Sequence, residues 1–253
     1  MADVRCSEEN ITFQNPPITE ALLDIRVNLS KETTLETLLF FQDEIKEHFP
    51  NKKERHSGTF QIKAGAAPEV ITSPARADGY MFYAPDNKKI VQVRIDGFTF
   101  NKLKPYSNWD IFSREAKYLW EHYVEIAKPI NIVRLALRYI NKIEIPLPFS
   151  DFKEYILTNP EVAPGIPQGL DRFFMQLVIP NAEFQAGAVV TETIEKIDDK
   201  SRVLPLIFDI DVSRNIILEP TSKDIWNIME DLRKFKNQIF MKSLTDKAKE
   251  LFK

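Results

Sequence analysis

The chain has 253 residues, of which 43% are hydrophobic and 28% are charged, and its formal net charge at pH 7 is −3. A chain of this length can bury a large core, and its composition is typical of a globular protein, which excludes global disorder. The slightly acidic balance also lacks the basic excess through which nonspecific nucleic-acid binders contact phosphates.

A strand and a helix are predicted near the start of the chain. Apolar residues alternate with other residues over 22–27, and this period of two predicts a strand. Thr33 and Glu36 have the spacing of a capping box, in which a hydroxyl and a carboxylate each bind a free backbone N–H group. We therefore predict one helix over 33–48, which ends before Pro50.

The rest of the first half predicts several strands and a second helix. The strands are expected over 59–63, 80–83, 90–95 and 98–103. Asp96-Gly97 indicates a hairpin with a type I′ turn between the last two strands, because that turn needs positive φ. Ser107 and Asp110 then predict the start of a helix that runs to about Lys128.

The second half has the same order of predicted elements. A long strand is expected over 132–145, followed by a short helix over 150–157 and then by strands over 173–179, 189–197 and 204–212. Thr221-x-x-Asp224 predicts a helix that extends to about Phe240. A second capping pattern, Ser243-x-x-Asp246, predicts a break before a last short helix.

Two parts of the sequence also resemble each other. Pro17, Leu23 and Arg26 recur 112 positions later as Pro129, Leu135 and Arg138. We interpret this as an internal duplication, with one β-α-β(4)-α repeat over 1–128 and one β-α-β(3)-α repeat over 129–253. Together they predict an α+β protein, in which one large antiparallel sheet with pseudo-twofold symmetry carries the helices on one face.

Two longer loops interrupt the predicted pattern, over 64–78 and over 158–171. The second contains several Pro and Gly residues. Each loop is either a plain connector or a lid or partner-binding segment, since long loops in compact domains are often functional.

Several kinds of chemistry have no sequence support here. The seven Gly do not form a dinucleotide-binding or Walker A loop, and the three His do not form a zinc-protease motif. The single Cys6 excludes an intrachain disulfide and a cysteine-rich metal site. We therefore predict no cofactor and no metal. The first residues lack the apolar core of a signal peptide and no apolar stretch is long enough to span a membrane, so we expect a cytoplasmic protein.

The strongest candidate site is a polar face of the predicted sheet. Alternate residues of a strand share a face, so polar and apolar side chains separate in the central strands. The face away from the helices is predicted to carry Asp24, Arg26, Arg94, Asn101, Arg138, Asp209 and Asp211.

Three interpretations of this face are open. It can be a solvated surface with cross-strand ion pairs, or a concave site where arginines bind a carboxylate or a phosphate through two hydrogen bonds. It can also hold a metal between Asp209 and Asp211, although no third ligand is evident. Gln176 and Glu192 are further candidates for this face.

The chain resembles a sporadically distributed family of uncharacterised prokaryotic proteins of about this length. The resemblance covers nearly the whole chain. It is carried by the runs Asn15-Pro-Pro-Ile18, Val91-Gln-Val-Arg94, Asp96-Gly-Phe98-x-Phe-Asn101, Pro105-Tyr106-x-x-Trp109, Leu119-Trp120-x-x-Tyr123, Leu137-Arg-Tyr-Ile-Asn141, Phe173-Phe174, Asp209-Ile-Asp-Val212 and Thr245-Asp-Lys247. Because the family has no established activity, the resemblance implies no catalytic residues.

The predicted topology also resembles the saddle fold of the TATA-binding protein. That saddle binds DNA with a nonpolar sheet face in a basic surround, whereas acidic residues on the face predicted here would repel phosphate. We therefore expect a non-enzymatic binding module that engages a partner protein or a small anionic ligand through the polar sheet face or its loops. A duplicated fold of this kind can also dimerise edge to edge.

Two alternatives remain open beside the binding module. A nucleic-acid-binding saddle would need basic residues around one groove, such as Lys102, Lys104, Arg114 and Lys117. An enzyme of unfamiliar type would need Arg94, Arg138, Asp209 and Asp211 to converge in a closed pocket.

Overall fold

The computed structural model describes residues 13–58, 60–63, 69–72, 75–196 and 201–253. Within them the chain forms an α+β fold, as predicted, with one nine-stranded antiparallel sheet and a separate two-stranded sheet. The strands are β1 Ile18–Asn28, β2 Asn51–Ser57, β3 Phe60–Lys63, β4 Glu69–Thr72, β5 Arg76–Tyr83, β6 Lys89–Arg94, β7 Gly97–Leu103, β8 Asn131–Pro146, β9 Phe174–Asn181, β10 Ala186–Ile194 and β11 Val203–Leu218. The helices are α1 Leu35–Leu39, α2 Phe41–Ile45, α3 Trp109–Ala127, α4 Asp224–Ser243 and α5 Asp246–Glu250.

The large sheet is built outward from its two central strands, β1 and β8. Its order is β2-β5-β6-β7-β1-β8-β11-β10-β9. Strand β7, which precedes helix α3, lies next to β1, and strand β11, which precedes helix α4, lies next to β8. The outer strands on each side come earlier in the sequence than β7 or β11, respectively. Apart from the additional outer strand β2, this order is symmetric about the central pair, while the duplication of 1–128 and 129–253 stays a prediction.

One face of the sheet forms the hydrophobic core. Leu23 and Ile25 of β1 pair with Leu137 and Leu135 of β8, and all four side chains are fully buried. Helices α1 and α3 pack on the β5–β7 side of this face, and α4 packs on β8 and β11. The prediction that the helices lie on one face is therefore confirmed. In the part of the chain that is described, none of the helices has the length and apolar character needed to cross a bilayer.

Two predicted helices differ from those observed. The helix expected over 33–48 is two short helices, because the N–H of Phe40 bonds the carbonyl of Thr37, three residues back, and tightens the turn between them. The capping residue is Thr34 instead of Thr33. The helix expected over 150–157 is one 3₁₀ turn at Phe152–Glu154, capped by Asp151.

The predicted helix starts are displaced by one or two residues. Asn108, instead of Ser107, caps α3, and its Oδ1 accepts a hydrogen bond from the N–H of Ile111 at 2.9 Å. Helix α4 follows Lys223 without a side-chain cap. Thr245, instead of Ser243, caps α5. The predicted break before this last helix is confirmed, since Leu244 is extended.

The predicted strands are present, but two further strands were missed. Strand β2 carries only polar and charged residues, so it has no apolar alternation to recognise, and β4 lies in the segment interpreted as a loop. The loop over 158–171 does lack helices and strands.

The predicted hairpin near Asp96 is confirmed, but the prediction of a type I′ turn at Asp96-Gly97 is wrong. The two turn residues are Ile95 and Asp96, and Gly97 begins β7 with a φ of 153°.

Candidate functional site

The predicted polar face exists, and Asp24 stands at its centre. Its carboxylate accepts hydrogen bonds from Arg94 Nη2 at 2.8 Å, Thr99 Oγ1 at 2.7 Å, Arg26 Nε at 3.2 Å and Arg134 Nη1 at 3.3 Å. Burial alone would raise the pKa of Asp24, but the charge of Arg94 and these hydrogen bonds outweigh burial and lower the pKa. The carboxylate is therefore saturated by protein groups.

Arg94 is a buried member of this network. Its side chain is only 3% exposed, and its Nε donates to Asp96 at 2.8 Å while its Nη1 contacts Thr99. Its carbonyl accepts a hydrogen bond from the Tyr123 hydroxyl at 2.9 Å. Arg26 contacts Asp96 as well. These two arginines hold strands β1, β6 and β7 together and have little capacity left for a ligand.

A second cluster surrounds Arg138 on the other half of the face. Arg138 Nε lies 2.9 and 3.1 Å from the two Asp209 oxygens, and its Nη2 lies 2.6 Å from Oδ2. Asp211 is 3.6 Å from Arg134, and burial raises its pKa. Asn101 stands apart from both clusters. It donates to Glu20 at 2.7 Å and accepts from Gln92 at 3.0 Å.

The structure therefore places the seven residues predicted for this face on one side of the sheet but does not bring them to one point. Arg94 and Arg138 lie on β6 and β8, with two strands between them, and at about 4.8 Å per strand this is roughly 14 Å. The convergence that the enzyme hypothesis required is not observed. Within the described residues, no three His, Cys, Asp or Glu side chains are grouped as metal ligands.

Glu192 lies on the opposite face from the one considered for it. It follows Val190 and precedes Ile194 on the core side of β10, and it is fully buried. Neither of its carboxylate oxygens has a hydrogen-bond partner in the parts of the chain that are described. Burial raises the pKa of Glu192 to about 8. Burial of this carboxyl group in the core therefore costs folding free energy, and Glu192 does not belong to the polar face.

A concave feature lies on the helix side of the sheet, and we call it the seam pocket. It opens between the start of α3, the chain entering β1 and the middle of α4, over β8. Its volume is about 170 Å³. Its polar and aromatic lining includes Tyr106, Trp109, Tyr139, Asn141, Arg233 and Lys236. Apolar side chains such as Phe240 complete the wall, so the pocket combines an apolar surface with a few polar groups.

Lys236 is the unusual residue of the seam pocket. It lies on α4 and is only 9% exposed, and its Nζ lies 3.9 Å from the centroid of the Tyr139 ring. In the described part of the chain it has no carboxylate partner. Burial and the nearby charge of Arg233 lower the pKa of Lys236 to about 7. A buried lysine with only an aromatic ring as its partner is rare, because the charged form is poorly solvated there.

Two tyrosines form the floor beside this amine. The hydroxyls of Tyr106 and Tyr139 are 2.9 Å apart, and the two rings meet edge to face. Burial raises the pKa of Tyr106 to about 12 and raises the pKa of Tyr139 well above its usual value. Both hydroxyls therefore keep their protons at neutral pH and can donate hydrogen bonds.

A second cation stands at the wall of the pocket. Arg233 Nε donates to both oxygens of Glu230 at 3.0 Å. Among the residues that are described, Arg233 Nη1 has no hydrogen bond. Its guanidinium lies 6.0 Å from the Trp109 ring. The hydrogen bond with Glu230 raises the pKa of Arg233 despite partial burial. A permanent cation and a titratable amine thus share one pocket.

The sequence interpretation missed this site. Leu232 and Phe240 lie four residues before and four after Lys236, and both are buried on the same stripe of α4. A lysine in the middle of an apolar helical stripe was the signal that could have found it. The partners of that lysine come from distant segments, and no local spacing indicates them.

Comparison with known proteins adds no family to this description. No protein-family model and no curated protein matched the chain.

Proposed function

We propose that this protein is a binding module for a small anionic ligand, and that the ligand occupies the seam pocket. The observation that carries the proposal is the buried Lys236, which among the described residues has an aromatic ring but no carboxylate beside it. A ligand carboxylate or phosphate would supply the missing counter-charge. Buried cations in proteins are normally paired, so an unpaired one in a cavity favours an anionic occupant.

The polar sheet face gives weaker support for anion binding. Its most buried guanidinium, that of Arg94, already binds two carboxylates, and Arg138 is engaged through two nitrogens with Asp209. An incoming anion would have to displace the carboxylates bound to Arg94. Arg138 and Arg233 are alike, since each binds one carboxylate through Nε and Nη2 and has no hydrogen bond at Nη1 among the described residues. The seam pocket differs in the Lys236 amine, which has no carboxylate to displace among those residues.

The shape and lining of the pocket indicate the kind of anion. Trp109 and Tyr106 offer aromatic surface, and the Tyr106–Tyr139 hydroxyl pair and Asn141 offer polar contacts. A volume of about 170 Å³ admits a compact molecule, since one water occupies about 30 Å³ of liquid. We therefore propose a small carboxylate with a flat body.

A thermal-shift titration tests this proposal. Benzoate, inorganic phosphate and pyruvate are added separately to the full chain, to Lys236→Met and to Lys234→Met. Lys234 is a matched control, because it lies on the same helix with an exposed side chain. We expect a carboxylate to raise the Tm of the parent and of Lys234→Met but not of Lys236→Met. Equal shifts in all three proteins, or none with any anion, would contradict the proposal.

A second candidate function is self-association through the edge strand β9. The side chains of Phe174 and Val178 are 71% and 74% exposed, and Leu177 and Ile179 are exposed on the other face of the strand. The whole of β9 carries no charge. An uncharged apolar edge strand is a template for pairing, whereas the charged strand β2 protects the opposite edge. We propose that β9 pairs antiparallel with β9 of a second copy, since this self-pairing opposes no like charges.

Light scattering coupled to size-exclusion chromatography tests this pairing. We expect a dimer for the parent protein and a monomer for Val178→Lys, which places like charges opposite each other at the interface. Glu54→Lys, on the opposite edge strand, is the control and should leave the dimer intact. A parent that is monomeric at every concentration would refute self-association through β9.

Nucleic-acid binding receives less support from the arrangement of charges. Lys102 lies near Lys88 and Lys89, but Asp86 and Glu115 are interleaved with them, and Lys89 Nζ is 2.6 Å from Glu115. This part of the surface is therefore mixed in charge, whereas a phosphate backbone needs a continuous basic strip.

A further inference from the structure

We propose that the amine of Lys236 is the reactive group of the seam pocket, and that it condenses with the carbonyl carbon of a small aldehyde or keto acid. This inference rests on the proposed function, since the same pocket must first admit the acid. It adds a covalent step and a substrate class to a site described so far only as a binding pocket.

The surroundings of Lys236 favour the neutral amine, which is the nucleophilic form. The side chain is nearly buried, and the positive charge of the Arg233 guanidinium acts on it. Both factors disfavour the ammonium, and the pKa of Lys236 falls to about 7. Desolvation and an adjacent cation are the two conditions that activate lysines toward carbonyl compounds. An ordinary exposed lysine, with a pKa near 10.4, is almost entirely protonated at neutral pH.

The amine of Lys236 lies at the wall of the cavity and is not enclosed on all sides by packed side chains. Lys236 and Tyr139 both line the seam pocket, and the ring of Tyr139 lies 3.9 Å from Nζ, which fixes the end of a normally flexible side chain. The groups that face Lys236 from α4 are Arg233 and, through it, Glu230. From β8 comes Tyr139, and from the segment before α3 comes Tyr106. No carboxylate among the described residues competes with a ligand for the amine.

The remaining pocket groups match the other parts of a keto acid. The free Nη1 of Arg233 can bind the carboxylate of the acid, and Trp109 offers a flat wall for its body. The Tyr106 and Tyr139 hydroxyls stay protonated at neutral pH and can donate a hydrogen bond to the carbonyl oxygen as it gains charge. Arg233, Trp109 and the tyrosine hydroxyls would therefore contact the carboxylate, the body and the carbonyl oxygen of the acid, respectively.

The proposed step balances without an oxidant or a reductant. The nitrogen lone pair of Lys236 attacks the carbonyl carbon, the carbonyl π electrons move to oxygen, and oxygen takes up a proton as the nitrogen gives one up. The resulting carbinolamine loses its hydroxyl together with the second nitrogen proton, as water, while the nitrogen lone pair forms the C=N bond. The products are one imine and one water from one amine and one carbonyl compound, and hydrolysis returns both.

Reductive trapping tests this step. The full chain is incubated near neutral pH with limiting glyoxylate and cyanoborohydride, which delivers hydride to an imine carbon and makes the adduct permanent. Intact mass and peptide mapping then locate the carboxymethyl groups. Because about half of Lys236 is neutral at pH 7, against about 1 in 2,500 of an ordinary exposed lysine, we expect it to be labelled on the order of 1,000-fold faster.

Two variants and a pH series test whether Lys236 is the residue that is labelled fast. Lys236→Arg keeps the positive charge but has no nucleophilic amine, so the fast-labelled site should disappear. Lys234→Arg should label like the parent. Circular dichroism of both variants checks that the fold is kept. The labelling rate of Lys236 should level off above about pH 7, whereas the rates of exposed lysines should keep rising toward pH 10.

The outcomes separate this inference from the proposed function. Benzoate has a carboxylate but no reactive carbonyl, so its thermal shift reports on binding alone. A benzoate shift that depends on Lys236, with glyoxylate spread over exposed lysines, would overturn the imine and leave the binding pocket standing. Absence of both results would overturn both proposals. Fast labelling of Lys236 that benzoate slows would support both.

Discussion

The substitution Lys236→Met tests the electrostatics of the seam pocket without any ligand. Methionine keeps the length and apolar stem of lysine but removes the amino group that titrates. The pKa of Lys236 falls from 10.5 to about 7 in the folded protein, and one unit corresponds to about 1.4 kcal/mol. The buried amine therefore costs the folded state an amount on the order of 5 kcal/mol at pH 7 and below.

The sign of the pH dependence follows from proton counting. Between pH 7 and 10.5 the unfolded chain holds a proton on Lys236 that the folded chain has released, so the stability of the parent protein rises with pH in this window. Lys236→Met has no such dependence. We expect the variant to be more stable near pH 7, with a difference that shrinks by about 1.4 kcal/mol per pH unit toward pH 10. Tyr106 and Tyr139 stay protonated through most of this range.

Urea unfolding followed by circular dichroism at about pH 6, 7, 8 and 9 measures this difference. The other titrating groups are common to both proteins and cancel in the comparison. A difference that does not change with pH would show that Lys236 is an ordinary protonated lysine. A parent protein more stable than the variant at pH 7 would show that the amine has a favourable partner, and either result refutes the reasoning.

Five further substitutions give expected outcomes, each measured by urea unfolding. The folded-state pKa of Glu192 is raised from 4.5 to about 8, so the parent should lose stability relative to Glu192→Gln by roughly 1.4 kcal/mol per unit as pH rises through that window, and a flat difference would contradict this. Arg94→Ala removes a buried guanidinium that binds Asp24 and Asp96 and should cost about 3–5 kcal/mol. Arg138→Ala removes a side chain that is 45% exposed and should cost about 1 kcal/mol, so equal costs would show that the two clusters do not differ in burial. Gly97→Ala would push a Cβ into the backbone of β1 at a positive φ and should destabilise by several kcal/mol, whereas Gly169→Ala meets open space and should stay within about 0.5 kcal/mol.

The sequence was sufficient for the elements whose evidence is local. The alternation around Leu23 and Leu137 assigned the core face of β1 and β8, and the registers bear it out. The same alternation placed Arg138 and Asp209 on the opposite face. Strand β2 was missed because all of its residues are polar, and an edge strand without a buried face has no hydrophobic period.

The pairings between the residues of the candidate site could not be predicted from local sequence patterns. The sequence could place arginines on one face, but whether Arg94 was free or already bound to Asp24 depends on a pairing between strands 70 residues apart. The seam pocket was missed for the same reason: Tyr106, Tyr139 and Lys236 come from three separate segments. A lysine in an apolar stripe is visible in the sequence, but its burial over a tyrosine ring is a property of the assembled fold.

The most direct test of the central claim is a carbon NMR titration of lysine side chains labelled at Cε. Comparison with Lys236→Met assigns one resonance to Lys236. We expect this resonance to titrate with a midpoint near 7, and we expect benzoate to move that midpoint upward, because a bound carboxylate stabilises the ammonium. A midpoint above 10, or a midpoint near 7 that benzoate, phosphate and pyruvate all leave unchanged, would contradict an anion site at Lys236.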